Sequence, residues 1–211
     1  MGRSSIMVIK TIGKHRVKHG DIMDGIDDLM NGKQADIIYT DPPWGQGNIR
    51  YWQTLNKKMT GTKRKEIEYN AFMNQIFKVC KKYAKNLLFV EYGIQWKDDI
   101  INLGEKYGFI HNQIIDVRYR SGSKLLPLHL HVFSKTSLDL SQDYINSVTN
   151  THRYKTLKKA LIPFSKEGMT ILDPCCGMGF TAGIAKQTGM TFYGNELNSK
   201  RLEKTIKRLE K

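Results

Sequence analysis

The twelve residues Ile171-Leu172-Asp173-Pro174-Cys175-Cys176-Gly177-Met178-Gly179-Phe180-Thr181-Ala182 constrain the fold more than any other stretch. An apolar run ends in Asp-Pro, a glycine-rich turn follows, and a helix is predicted next. Gly177, Gly179 and Ala182 fit the G-x-G-x-x-G/A spacing that lets backbone approach a nucleotide closely at a helix start. A second short strand, Thr191-Phe192-Tyr193-Gly194, leads to Glu196, which lies 23 residues beyond Asp173. An acid about 20 residues past such a turn is suited to gripping ribose hydroxyls. A nicotinamide-binding turn, or an ordinary tight turn with a solvated glutamate, has the same outline.

A second site lies more than a hundred residues upstream. The apolar run Ile37-Ile38-Tyr39 ends at Asp41-Pro42-Pro43-Trp44. By itself this tetrapeptide also reads as a strand ending in a proline turn. With the glycine turn in the same chain, the pair says more. Asp-Pro-Pro-aromatic after an apolar run resembles the catalytic loop of S-adenosylmethionine-dependent amino-methyltransferases, which methylate an exocyclic amine of a nucleic-acid base. Asp173-Pro174-Cys175-Cys176-Gly177-Met178-Gly179 resembles the Asp-Pro-Phe-x-Gly-x-Gly turn of the same enzymes. The catalytic loop precedes the cofactor turn, an order similar to the beta class, whose motifs are circularly permuted.

The resemblance covers nearly the whole chain. It implies a single Rossmann-like α/β methyltransferase domain over residues 1–211 and S-adenosyl-L-methionine as cofactor. Val17-Lys18-His19-Gly20-Asp21 looks like the opening strand, with Asp21 at the adenine end of the cofactor. Phe192-Tyr193-Gly194-Asn195-Glu196-Leu197-Asn198 looks like the ribose-binding stretch. The cofactor-binding set implied is therefore Asp21, Asp173, Pro174, Cys175, Cys176, Gly177, Gly179, Glu196, Leu197 and Asn198. The chain departs from the pattern twice. Cys175 replaces the usual aromatic residue after Asp-Pro, and no separate target-recognition domain is visible.

Bulk properties agree with an intracellular, nucleic-acid-directed protein. Forty per cent of residues are hydrophobic and 26% charged, as in globular proteins. No apolar run approaches the roughly 18 residues needed to span a membrane, and no secretory-type stretch follows Met1. Three cysteines, two of them adjacent, make no disulfide framework, so a reducing cytoplasmic setting is expected. The histidines and cysteines show no zinc-ligand spacing, and no metal is expected. The net charge of +14 points to a polyanion. Between Asn48 and Lys85 there are ten Lys or Arg and two acids, Glu66 and Glu68. Such a run is commonly a solvated face; next to a base-modifying loop it suits phosphate contacts.

The hydrophobic periodicity predicts strands over 16–19, 35–40, 86–91, 109–119, 128–134, 169–173 and 191–194. Helices are predicted over 22–30, 66–82, 94–107, 153–164, 179–188 and 199–211. Tyr69, Phe72, Met73, Ile76, Cys80 and Tyr83 follow helical spacing and read as core. With no helix between 109–119 and 128–134, those strands should form an antiparallel hairpin; seven strands with one such hairpin match the mostly parallel sheet that the methyltransferase resemblance implies. Residues 45–65, 120–127 and 135–151 read as the least structured. Asp21, Asp41, Asp173 and Glu196 all fall at or just past predicted strand ends, the edge where open α/β sheets bind ligands.

The chemistry implied is direct. An exocyclic base amine is a poor nucleophile because its lone pair is delocalised into the ring. Acceptors aimed at its two hydrogens favour rehybridisation. Asp41 supplies a carboxylate and Pro42 a carbonyl. Pro43 restricts Pro42 to an extended conformation. Trp44 offers a face for a base rotated out of its helix. No nucleophilic side chain is needed, so Cys80, Cys175 and Cys176 read as packing. Target binding is assigned to the basic loop 45–65, with Arg50, Tyr51, Trp52, Lys57, Lys58, Lys63, Arg64 and Lys65, and to a second basic loop with Arg118, Arg120 and Lys124. Tyr51 and Trp52 equally suit packing on the body.

An Asp at the first motif position looks more like the adenine-N6 enzymes than the cytosine-N4 ones. DNA is the expected partner, since the glycine turn and compact permuted layout resemble the bacterial or phage DNA type. Asp-Pro-Pro-Trp also resembles the messenger-RNA adenine-methylating family, so RNA is the alternative. A catalytically silent nucleic-acid-binding subunit is a further alternative. The small recognition apparatus implies a short target or a second subunit, as in a homodimer.

Overall fold

The computed structural model describes residues 8–61 and 65–211; the expected contacts Lys63 and Arg64 lie outside the described residues. Among the described residues eight strands form one sheet: β1 (Val8–Ile12), β2 (His15–His19), β3 (Ala35–Thr40), β4 (Ala84–Tyr92), β5 (Ile110–Ser121), β6 (Lys124–Ser134), β7 (Thr170–Asp173) and β8 (Thr191–Glu196). Their spatial order is β1-β2-β8-β7-β3-β4-β6-β5. From β2 to β4 the pairings are all parallel. The β1/β2, β4/β6 and β5/β6 pairings are antiparallel.

The helices are α1 (Asp27–Met30), α2 (Gly45–Thr60), α3 (Tyr69–Tyr83), α4 (Lys97–Lys106), α5 (Gln142–Val148), α6 (Tyr154–Leu161), α7 (Phe180–Gln187) and α8 (Ser199–Glu210). They cover both faces of the sheet, and the strands alternate between two cores with period two. Ile37, Phe89, Leu130, Ile171 and Phe192 pack with Leu157, Leu161, Ala182, Ile184 and Leu202 of α6, α7 and α8. Ile38, Leu88, Val90, Leu172 and Tyr193 pack with Leu29 of α1, Phe72, Ile76 and Phe77 of α3 and Ile100 of α4. Phe72, Met73, Ile76, Cys80 and Tyr83 of α3 are buried as their spacing predicts, and Tyr69 is partly buried against the same core. Each fully buried side chain of this size contributes about 1.5–3 kcal/mol.

The structure corrects the sequence reading in four places. The sheet has eight strands and two hairpins, because β1 folds onto β2 through Gly13 and Lys14. Only five residues of Val, Ile, Lys and Thr carried that signal. Residues 45–60 are a helix, not a loop: Gly45 and Gly47 mark only its beginning, and Gly61 closes it in the left-handed region with its N–H on the Lys57 carbonyl. That capping glycine after Lys57 and Lys58 was the legible sign of a helix end. Arg118 and Arg120 sit in β5 and Lys124 opens β6, so the second basic loop is a strand pair joined by Gly122 and Ser123; the ladder runs to Ser121 opposite Lys124. Within 135–151, Ser141 caps α5 by accepting from the Tyr144 N–H at 3.2 Å. A serine cap before a short helix is weak against so polar a background.

Candidate functional site

The carboxyl ends of β3, β4, β7 and β8 open on one cleft of about 630 Å³. Asp41, Pro42, Pro43 and Trp44 line it beyond β3, Glu91 at the end of β4, Asp173 to Met178 beyond β7, and Asn195 to Asn198 at and beyond β8. Gly20 and Asp21 join them beyond β2. The volume lies within the range of small-molecule and cofactor pockets, about 300–1,000 Å³.

The Asp41 loop is held from three sides. The Trp44 indole N–H donates to Asp41 Oδ1 at 3.1 Å. The Tyr92 hydroxyl donates to the Pro43 carbonyl at 3.0 Å and accepts from the Gly45 N–H at 3.2 Å. Among the described residues no donor meets the Pro42 carbonyl. The Trp44 ring packs edge-on against Tyr119, with centroids 4.9 Å apart, and against Tyr92 at 6.4 Å.

The glycine turn is equally ordered. Asp173 is 3% exposed. Its Oδ1 accepts from the Cys175 N–H at 3.1 Å and its Oδ2 from the Thr181 hydroxyl at 2.7 Å. Glu196 bridges two segments, accepting from the Gly177 N–H and the Asn198 N–H, each at 2.8 Å. Asp21 accepts from the Met23 N–H at 3.0 Å and caps a short 3-10 turn. Gly177 and Gly179 both have positive φ, +53° and +77°. Gly179 does not line the cleft; a Cβ there would lie 2.8 Å from Thr205 Cα, so this glycine serves the approach of α8 to the turn.

Five carboxyls, of Asp21, Asp41, Glu91, Asp173 and Glu196, line the cleft together with four arginines. Burial pushes Asp173 up to about 7, with Asp41 and Glu196 adding to the rise. Burial and the nearby Asp41 push Glu91 up to about 8. Asp41 rises only to about 6. Burial raises it, and the Trp44 hydrogen bond and the Arg201 charge hold it back. Cys175 and Cys176 are pushed well up by burial and by Asp173 and Glu196, so neither thiol is an activated nucleophile.

Of the residues expected to bind nucleic acid, Tyr51, Trp52, Arg118 and Arg120 line the cleft; Arg50, Lys57, Lys58, Lys65 and Lys124 do not. Arg50 is paired with Glu66 at 2.7 Å on the surface, an arrangement worth about 0–1 kcal/mol. Trp52 lies under Arg201, whose guanidinium carbon is 4.3 Å from the ring centroid. Asn198 donates to Asn56 at 3.2 Å, and α2 is thereby joined to α8 across the cleft mouth. Tyr51 packs edge-on against Trp52 and remains 58% exposed.

Sequence reasoning missed Glu91, Arg153 and Arg201, all of which line the cleft. Glu91 had a usable sign: a lone acid ending the apolar run Leu87-Leu88-Phe89-Val90, as Asp41 and Asp173 end theirs. Arg153 has φ +52°, a conformation rare for non-glycine residues, and no sequence signal marks it. Among the described residues no cluster of His, Cys, Asp and Glu could hold a metal. No described helix is long and apolar enough to cross a membrane.

The fold has solved counterparts. The crystal structure of M1.HpyAVI superposes with a TM-score of 0.65 at 16% identity, covering 92% of this chain and 98% of that one. TTHA0409 from Thermus thermophilus, described as a putative DNA modification methylase complexed with S-adenosyl-L-methionine, gives 0.60 at 16% identity, covering 92% and 93%. PvuII DNA methyltransferase, described as cytosine-N4-specific, gives 0.61 at 13% identity, covering 94% and 87%. No family model matches the chain, and no curated protein matches it in sequence. The shared architecture is the α/β methyltransferase fold with a mostly parallel sheet.

Proposed function

We propose that this protein transfers a methyl group from S-adenosyl-L-methionine to the N6 amine of adenine in DNA. The observation that carries this reading is the meeting of Asp41-Pro42-Pro43-Trp44 and the Asp173–Gly177 turn at one cleft. The architecture shared with structures described as a DNA modification methylase and a DNA methyltransferase supports methyl transfer to DNA, and the Asp at the first motif position favours adenine N6.

The residues present fit the cofactor. Glu196 uses its two oxygens on backbone N–H groups, and a carboxylate has roughly four acceptor positions, so two remain for a ribose diol. Gly177 leaves room where a side chain would crowd Arg201. Among the described residues the buried Glu91 Oε1 has no partner, and a carboxyl oxygen free to accept suits a cation. Asp21 and Gly20 would hold the adenine end, Glu196 to Asn198 the ribose, and Asp173 to Gly177 the remainder. When bound, the cofactor supplies a methyl group on an excellent leaving group.

The chain's own residues do the rest. Asp41 Oδ2 and the Pro42 carbonyl accept from the two amine hydrogens and turn the nitrogen lone pair toward the electrophile. Trp44 holds Asp41 Oδ1 through its indole N–H and so fixes the carboxylate's direction. Trp44 and Tyr119 form an aromatic corner against which an everted base packs. The alkylated nitrogen is strongly acidic, and the Asp41 carboxylate takes the proton it loses. Arg118 and Arg120 meet the phosphates beside the target.

Cytosine N4 is the second reading. The same acceptor pair serves its amine, and PvuII DNA methyltransferase shares the architecture. The test is incubation with methyl-labelled cofactor and, separately, duplex DNA, single-stranded DNA and RNA, followed by nucleoside mass spectrometry. Label in N6-methyladenine from DNA is expected. Label in N4-methylcytosine, or in RNA alone, would replace the substrate. Asp41→Ala should abolish transfer and retain cofactor binding; surviving transfer would remove Asp41 from its role.

A further inference from the structure

Glu91 has no part in the steps above, yet its surroundings are unusual. It is 7% exposed, lies one residue before the end of β4, just past the last pair with β3, and lines the cleft. Its Oε1 is buried without a hydrogen-bond partner. A buried carboxyl oxygen left without a partner is costly unless something meets it. The Asp41 carboxyl beyond β3 and the Asp173 carboxyl of β7 act on it to raise its pKa, and a hydrogen bond with the Tyr39 hydroxyl of β3 lowers it, leaving Oε1 without a partner among the described residues. On β6 its opposite residue is the apolar Leu130, and α6 brings Leu157 to the cleft. Arg118, Arg120, Arg153 and Arg201 also line the cleft, but none is among the groups acting on Glu91. Glu91 is therefore a carboxyl built without a cation, among carboxyls, in a ligand cleft.

We propose that Glu91 is the residue by which the cleft distinguishes a positively charged ligand from its neutral counterpart. This rests on the cofactor reading, and it adds a specificity-determining residue. The cofactor is a sulfonium cation; the product left after methyl loss, S-adenosylhomocysteine, is a neutral thioether of nearly the same shape. With no cation in the cleft, burial and its two acidic neighbours keep Glu91 protonated near neutral pH. A cation entering the cleft favours the carboxylate, so binding releases the proton: neutral acid plus cation gives an ion pair and a free proton. The thioether offers no such gain, and Glu91 keeps its proton. The site thus holds substrate and sheds product through one ionisation.

The sign follows from linkage. Below about pH 8 Glu91 is protonated in the ligand-free cleft, so sulfonium affinity rises with pH and levels off above that value, by at most about tenfold per unit for one group. Asp41 and Asp173 add similar contributions at lower pH, which Glu91→Gln leaves in place.

The test is calorimetric titration of S-adenosylmethionine and S-adenosylhomocysteine into wild type and Glu91→Gln between pH 6.5 and 9, in buffers of different ionisation enthalpy. In wild type the sulfonium should release more protons than the thioether at pH 7.5, and the affinity ratio should grow with pH. In Glu91→Gln the excess should shrink and the ratio flatten above pH 7. A purely structural role would shift both ligands together and leave their ratio alone. Equal proton release for the two ligands in wild type would overturn the inference whether or not the variant folds. An unchanged ratio in a folded variant would do the same. Failure of both ligands to bind wild type would overturn the cofactor reading itself, and this one with it.

Discussion

Trp44 donates its indole N–H to Asp41 Oδ1 at 3.1 Å, so one residue of the Asp-Pro-Pro-Trp motif aims another. Trp44→Phe keeps the ring and deletes the donor. A hydrogen bond to a charged group is worth about 1.5–3 kcal/mol, so kcat should fall about ten- to a hundredfold while cofactor affinity holds. Because this bond lowers the Asp41 pKa, its loss should move the acid limb of the kcat profile to higher pH. An unshifted limb would show that the indole does not orient the carboxylate.

The raised carboxyl of Glu91 also bears on stability. Its pKa in the folded chain lies above the unfolded value, so the folded state holds the proton longer. Stability from this group therefore declines as pH rises from the unfolded value near 4.5 toward about 8. Glu91→Gln mimics the protonated form. Its melting temperature, without ligand, should exceed wild type by several degrees at pH 8.5, with the gap narrowing toward pH 6. Thermal scans across that range check it; a gap independent of pH would contradict the assignment.

Gly179 and Gly183 should respond oppositely to alanine. Gly179 has φ +77° and would bring Cβ to 2.8 Å from Thr205 Cα. Gly179→Ala should destabilise by at least about 1–3 kcal/mol. Gly183 lies inside α7 with space for a Cβ, whose nearest neighbour is a Tyr154 ring carbon at 3.6 Å. Gly183→Ala should stabilise by about 0.5–1 kcal/mol. Denaturant titration of both variants measures the contrast.

Arg118 and Arg120 should act through phosphate. Each alanine replacement should reduce the slope of log affinity against log salt by about 1 on duplex DNA, uniformly across sequences. Lys124, which does not line the cleft, should matter less. Fluorescence anisotropy at several salt concentrations reads this directly. An undiminished slope in both arginine variants would remove β5 from the interface.

What could be read along the chain was local and periodic. The strand–turn–helix at 170–187, the acids at strand ends, the helical stripe of α3 and the α/β class were all legible, because each depends on spacing between near neighbours. The helix at 45–60 was not, because Ile49, Asn56 and Gly45 are its only buried residues. Its hold on the body comes from Arg201 over Trp52 and Asn198 with Asn56, contacts between residues about 140–150 apart in sequence. Packing of distant segments put Gly179 against Thr205 and away from the cleft, and brought Arg153 and Arg201 to it. The same packing gave Glu91 a cleft in common with Asp41 and Asp173. Strand order carries that last fact: β4 lies beside β3, and β3 beside β7, so acids far apart in the chain meet, and Asp41 raises the pKa of both Glu91 and Asp173. Spacing in a sequence records a residue's own turn or strand; the field it feels is set by neighbours that only the packed sheet supplies.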